Sequence, residues 1–210
     1  MLTTVAWQLN GETTYALEGS VFVGGAVIQW LRDGLKLIKT ASDSEKPALS
    51  VQDTGGVVFV PAFTGLGAPH WNQDARGMIY GITRGTTRAH IIRAALEAIA
   101  YQSYDVMKAM QQDAGFVIEN LRVDGGAAAN NFLMQMQANV LQTNVQRPVV
   151  LESTSLGAAY FAGLAVGFWK DVAEIESQWQ VEKTFVPVKS SCDIEKGIAD
   201  WHDAIARVLQ

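Results

Sequence analysis

The chain of 210 residues reads as an α/β domain, a mixed sheet flanked by helices. Three observations lead there. Paired strand signals stand near the N-terminus, long helical periodicities follow them, and strand–helix alternation fills the second half. The most informative stretch is residues 121–130, Leu-Arg-Val-Asp-Gly-Gly-Ala-Ala-Ala-Asn. Leu121 and Val123 alternate as in a short strand, Asp124 and the Gly125-Gly126 pair break it, and an apolar helix (Phe132, Leu133, Met136, Val140) starts from Asn130. A glycine pair between strand and helix removes the Cβ atoms that keep a ligand off the backbone. It also points the unpaired N–H groups of a new helix turn at that ligand. An ordinary tight turn is the competing account of the glycines alone.

In order along the chain, residues 2–8 and 13–17 are strands around the hairpin dipeptide Asn10-Gly11. Ile28, Leu31, Leu35 and Ile38 repeat at helical spacing and predict a helix over 20–39, with a small-residue patch at Gly24-Gly25-Ala26. The polar run Ser42 to Pro47 is a loop, Val57 to Val60 a strand, Pro61 to Gly77 a long Gly/Pro-rich loop and Met78 to Ile82 another strand. The longest amphipathic helix spans 87–112, with Ile92, Leu96, Ile99 and Met107 inward and Arg88, Glu97 and Lys108 toward solvent. After the Gly-Gly unit come a helix to about Leu141 and a strand at Val145 to Arg147. Ser153-Thr154-Ser155 is an N-cap for a Gly/Ala-rich helix over 155–167, suited to close packing against a sheet. A strand near 181–185 and an amphipathic helix over 194–209 close the chain.

Composition narrows the function. A net charge of −5 and the lack of a basic stripe argue against nucleic acid as a partner. No apolar run reaches the ~18 residues of a membrane span, and the start Met-Leu-Thr-Thr-Val-Ala-Trp has no signal-peptide pattern. Cys192 is the single cysteine, which excludes an intrachain disulfide and fits a reducing cytoplasm; its polar surroundings mark an idle exposed thiol. The chain opens directly in strand-like sequence, as a piece of something longer would.

Several familiar chemistries are missing. There is no Gly-x-x-x-x-Gly-Lys-Ser/Thr, and Gly65-Leu66-Gly67 lacks the third glycine of a dinucleotide fingerprint. His70, His90 and His202 show no metal-ligand spacing. The loop from Pro61 to Trp71 is shape-fixed by Gly and Pro, with Phe63 and Trp71 as a packed interior. A functional role and a connector or subunit contact compete there.

Four segments together resemble the glycerol kinase branch of the FGGY carbohydrate kinase family, in its C-terminal domain. They are Tyr15 to Asp33, Val60 to Pro69, Gly77 to Glu97, and Arg122 to Gln135 followed by Leu156-Gly-Ala-Ala-Tyr. The run Asp-Gly-Gly-Ala-x-x-Asn-Asn-Phe-Leu-Met-Gln at 124–135 is similar to that branch rather than to the pentulose kinases. The resemblance implies an actin/hexokinase-like (ribonuclease H-like) fold over residues 1–210, with ATP held between two such domains. It implies that Gly25 and Gln29 contact the nucleotide phosphates and ribose, and that Gly126 and Asn130 line the adenine nucleotide pocket. Gly25 and Gln29 are four apart and share a helix face; Asn130 offers an amide donor and acceptor; Gly125 shares the backbone role of Gly126. Asp124 is a turn cap or a magnesium partner, with the cap preferred, and Gln29 has a solvent-facing account.

The resemblance further implies ATP or ADP with Mg2+ as cofactor. The glycerol pocket and general base would lie in sequence preceding this chain, so no catalytic residue and no metal ligand is assigned within it. The expected whole is a cytoplasmic, homo-oligomeric ATP:glycerol 3-phosphotransferase whose isolated C-terminal domain is inactive. A kinase of another polyol or ketose, or a non-catalytic assembly domain presenting Phe63–Trp71 and Phe168-Trp169, are the rival expectations.

Overall fold

A computed structural model describes residues 1–115, 117–188 and 191–210, the first three of the last span by backbone only. The predicted role of Cys192 therefore lies outside the described side chains. Strands β1 (Leu2–Leu9) and β2 (Glu12–Glu18) form the expected hairpin, paired from Leu2↔Glu18 to Leu9↔Glu12. Asn10 (φ 52°) and Gly11 (φ 83°) both sit at positive φ, the backbone a two-residue turn needs to match strand twist.

Helix α1 covers only Ala26–Asp33, not 20–39. The periodicity is real, since Val27, Ile28 and Leu31 are buried. It ends because Gly34 and Leu35 both return N–H bonds to the Trp30 carbonyl and Lys36 turns to φ 55°. Before the helix, the Ser20 carbonyl accepts from the Ala68 N–H, which ties that segment to the long loop. The predicted loop at Ser42 to Pro47 is helical. A 3-10 turn (Ala41–Ser44) leads straight into α2 (Glu45–Leu49), started by Asp43, whose carboxylate accepts from the Thr40 N–H at 2.8 Å.

Strands β3 (Val58–Val60) and β4 (Met78–Tyr80) pair antiparallel around the long loop. Phe63 packs inward with its ring centroid 5.1 Å from that of Trp30, whereas Trp71 stays half-exposed, edge-on to Phe22. Helix α3 (Arg88–Ala114) is the axis of the core and buries Ile92, Leu96 and Ile99 as its period requires. Glu97, predicted toward solvent, instead retains 12% side-chain exposure and holds Arg93 at 2.8 Å. The Arg93 guanidinium also donates to the Ala48 and Val51 carbonyls, and so fastens the end of α2 to α3.

The second half alternates as expected: β5 (Asn120–Arg122), α4 (Asn131–Leu141), β6 (Asn144–Pro148), α5 (Ser153–Ala165), a short α6 (Val172–Ser177), β7 (Val181–Phe185) and α7 (Ser191–Val208). β6 pairs parallel to β5 and antiparallel to β7, which makes this sheet mixed. The hairpin and the β3–β4 ladder are separate from it, because no described strand bridges them. Ser153–Ser155 lie inside α5 rather than capping it, with Glu152 at the N-cap. Nor does α5 pack on a sheet. Gly163, under the Trp169 ring, is its only buried residue, and Phe161 is 46% exposed. The core joins Val27, Leu31, Phe59, Ile92, Leu96, Leu133, Val145 and Trp201 into one cluster.

Candidate functional site

The Gly-Gly unit is built as a rigid platform. The Val123 N–H bonds the Gln146 carbonyl at 3.1 Å, and the Gly125 N–H bonds the Leu151 carbonyl at 2.7 Å, so β6 and the segment that follows it anchor the turn. Gly125 has φ 76° and ψ 173°, a conformation open to glycine and costly for any L side chain. A 3-10 turn (Gly126–Ala129) follows. Its last carbonyls, of Ala128 and Ala129, accept from the Arg147 guanidinium at 3.0 and 3.2 Å, and Glu182 pairs the same guanidinium. The turn thus hangs from a buried cation on β6.

Beside this platform a groove of about 470 Å³ opens between two helical segments. Ala41, Ser42, Glu45, Lys46 and Leu49 form one wall; Gly126, Ala129 and Asn130 form the other. A methyl group added at Gly126 would meet no protein atom within 4 Å, so the space beyond its Cα belongs to whatever enters the groove. Asn130 caps α4. Its Oδ1 accepts from the Leu133 N–H at 3.0 Å and its Nδ2 donates to Ser44 Oγ at 3.1 Å. One Nδ2 hydrogen and one Oδ1 lone pair are thereby used by the protein, and Asn130 walls the groove.

The start of α4 is also less open than the sequence reading expects. The Asn131 N–H donates to Glu45 Oε2 at 2.7 Å, and Asn131 Nδ2 reaches Glu45 Oε1 at 3.3 Å. With Leu133 taken by Asn130, a carboxylate and an amide already serve this helix end. Ser44 and Glu45 are the residues the sequence reading missed. The signal was there in Thr40 and Asp43, three apart before Glu45, a capping spacing hidden by an otherwise polar run.

Gly25 and Gln29 lie elsewhere. Gly25 is the N-cap of α1 and Gln29 is exposed one turn later, and neither lines the groove. A methyl group at Gly25 likewise meets nothing within 4 Å. Asp124 is exposed and supplies no cap, since Gly125 is the N-cap of the turn and has no side-chain capping bond. Among the described residues, no group of three or more His, Cys, Asp or Glu is placed to hold a metal ion. No described helix is long and apolar enough to cross a membrane.

The comparisons with known proteins agree on one family. A profile described as "FGGY family of carbohydrate kinases, C-terminal domain" matches residues 2–166. The chain is 58% identical over 209 residues to Glycerol kinase 2 of Thermotoga maritima, covering 100% of this chain and 42% of that protein. It is 59% identical over 207 residues to the glycerol kinase of Parabacteroides distasonis, covering 99% of this chain and 42% of the relative. Among solved structures, Plasmodium falciparum glycerol kinase with ADP superposes over 100% of this chain and 42% of its own, with a TM-score of 0.88 at 36% identity. Ligand-bound xylulose kinase from Lactobacillus acidophilus covers 95% of this chain and 41% of its own, at 25% identity and a TM-score of 0.81. The chain thus spans about 42% of the length of these curated relatives.

Proposed function

Because the chain belongs to the FGGY family of carbohydrate kinases, as the C-terminal domain of its actin/hexokinase-like fold, we propose that it is the nucleotide-holding part of an ATP:glycerol 3-phosphotransferase. The observation that carries this is the groove walled by Gly126 and Asn130, with open space over a glycine on a fixed platform. Identities of 58–59% to named glycerol kinases, against 25% for the xylulose kinase, support glycerol over another polyol or ketose.

In this reading the adenine nucleotide lies along the groove. Gly126 lets the ligand reach the backbone, while Asn130 contributes shape. Gly25 and Gln29 serve from the exposed start of α1, and Gly125 fixes the turn. Phosphoryl transfer needs an oriented hydroxyl and charge stabilisation at the transferred group. Magnesium would supply part of that charge stabilisation; among the described residues no group of three or more His, Cys, Asp or Glu is placed to hold it. The chain's own task is to bind, orient and shelter the nucleotide. By itself it should not turn over glycerol. The full enzyme is proposed to be cytoplasmic and homo-oligomeric.

The test is a calorimetric titration of the chain with ADP and magnesium, beside a Gly126→Val variant. Since a Cβ at Gly126 would meet no protein atom within 4 Å, the variant should melt within about 2 °C of the parent while losing saturable binding. Parent and variant binding alike would sink the assignment of the groove. A pure assembly domain would bind neither.

A further inference from the structure

We propose that Glu45 is a positioning residue that sets the polarity of the bound nucleotide, admitting the nucleoside end to the groove and turning the phosphates away from α4. The inference rests on the groove being the nucleotide site. A helix N-terminus ordinarily attracts anions through its free N–H groups and its dipole. Here the first turn of α4 is capped from outside by a carboxylate, 2.7 Å from the Asn131 N–H and 3.3 Å from Asn131 Nδ2. The Leu133 N–H is taken by Asn130 Oδ1. A phosphate brought to this end would find the Asn131 and Leu133 donors taken and a like charge beside it, a repulsion strengthened by the half-buried setting of Glu45.

The rest of the lining fits a neutral, flat ligand. Ala41, Leu49, Gly126 and Ala129 offer apolar or backbone surface, Ser42 a hydroxyl, and Lys46 is the one cation among the lining residues, exposed at the rim. Glu45 cannot swing clear without releasing Asn131, and Asn130 is held to its neighbour Ser44, so the charge is fixed in place by the contact that joins α2 to α4. Lys183 approaches Asn131 Oδ1 at 3.4 Å from β7; its ammonium also lies over the Phe185 ring, 4.6 Å from the centroid.

The experiment follows backbone amides of the chain by NMR during titration with adenosine, ADP and inorganic pyrophosphate. In the parent, adenosine and ADP should shift the Gly126 and Asn131 amides, and pyrophosphate should leave them unmoved. Glu45→Gln, which keeps an acceptor but drops the charge, should let pyrophosphate shift Asn131 and narrow the preference for adenosine over pyrophosphate at least tenfold. Asn131→Ala, which keeps the carboxylate and removes only the amide contact, should still exclude pyrophosphate. A structural role alone would change stability without changing that preference. Pyrophosphate entering the parent groove, or exclusion unaltered in Glu45→Gln, overturns the role of Glu45. Should Glu45→Gln fail to fold, pyrophosphate shifting the Asn131 amide in the parent or in Asn131→Ala would still overturn it. Failure of adenosine and ADP to reach the parent groove would instead overturn the nucleotide reading beneath it.

Discussion

Asn130 lines the groove and at the same time braces the fold. Its carboxamide is divided between the Leu133 N–H and Ser44 Oγ, which fixes the wall of the groove and the start of α4 together. Asn130→Ala removes a helix cap and the tie to Ser44, whose hydroxyl keeps its own bond to the Ala41 carbonyl, so it should cost about 1–2 kcal/mol in urea denaturation. Denaturation curves that superpose on the parent would show the cap to be dispensable. The amide's donor and acceptor were legible at this position, and the two protein partners they take were not. A sequence displays an amide's capacity, but whether that capacity is spent depends on a neighbour such as Ser44, far away along the chain. At Gly126 the sequence states the missing side chain outright, and a Cβ there would meet no protein atom within 4 Å.

At the scale of elements, period and punctuation foretold most of the result. The hairpin followed from Asn10-Gly11, and α3 from the spacing of Ile92, Leu96 and Ile99. Where the reading failed, a local hydrogen bond overrode the pattern. The double return to the Trp30 carbonyl shortened α1, and Asp43 on the Thr40 N–H converted a polar run into helix. Glu97 is the clearest miss, since a carboxylate on a helix reads as solvent-facing unless its partner is known. Arg93 and Glu97 retain only 8% and 12% side-chain exposure, so deleting one charge strands the other. Glu97→Leu should therefore destabilise by about 3 kcal/mol, the range for a broken buried pair, and lower the melting temperature by roughly 6–12 °C. Calorimetry showing a loss near zero would mean that the Ala48 and Val51 carbonyls satisfy Arg93 alone.

Across the whole molecule, one carboxylate gathers three distant segments. Asp105 on α3 accepts from Trp201 Nε1 and pairs with His202 Nε2 on α7, each at 2.7 Å, while His70 Nε2 from the long loop stands 3.8 Å away. Burial pushes its carboxyl up, but the contacts with His70, Trp201 and His202 outweigh that and hold it below the usual carboxylate range. A group lowered in the folded state stabilises above its unfolded pKa and loses that contribution as pH falls through the folded one. The stability gap between the parent and Asp105→Asn should thus be level above about pH 5 and close progressively below about pH 4. Acid titrations of unfolding free energy would check it, and a gap independent of pH would contradict it. Nothing in the sequence joined His70, Asp105 and His202, because their spacing obeys no local period; only the packing of α7 across α3 brings them to one point.

The stance of α5 carries a thermal consequence. The apolar surface of this helix and of the turn after it, with Phe161, Val166 and Phe168 at 46%, 81% and 73% exposure, is hydrated before unfolding begins. Unfolding exposes correspondingly little new apolar area there, and newly hydrated apolar area is what raises the heat capacity. The chain should therefore unfold with a heat-capacity increment below the roughly 12–15 cal/mol/K per residue usual for globular domains. Its stability would then vary only gently with temperature, with a broad maximum and a shallow approach to cold unfolding.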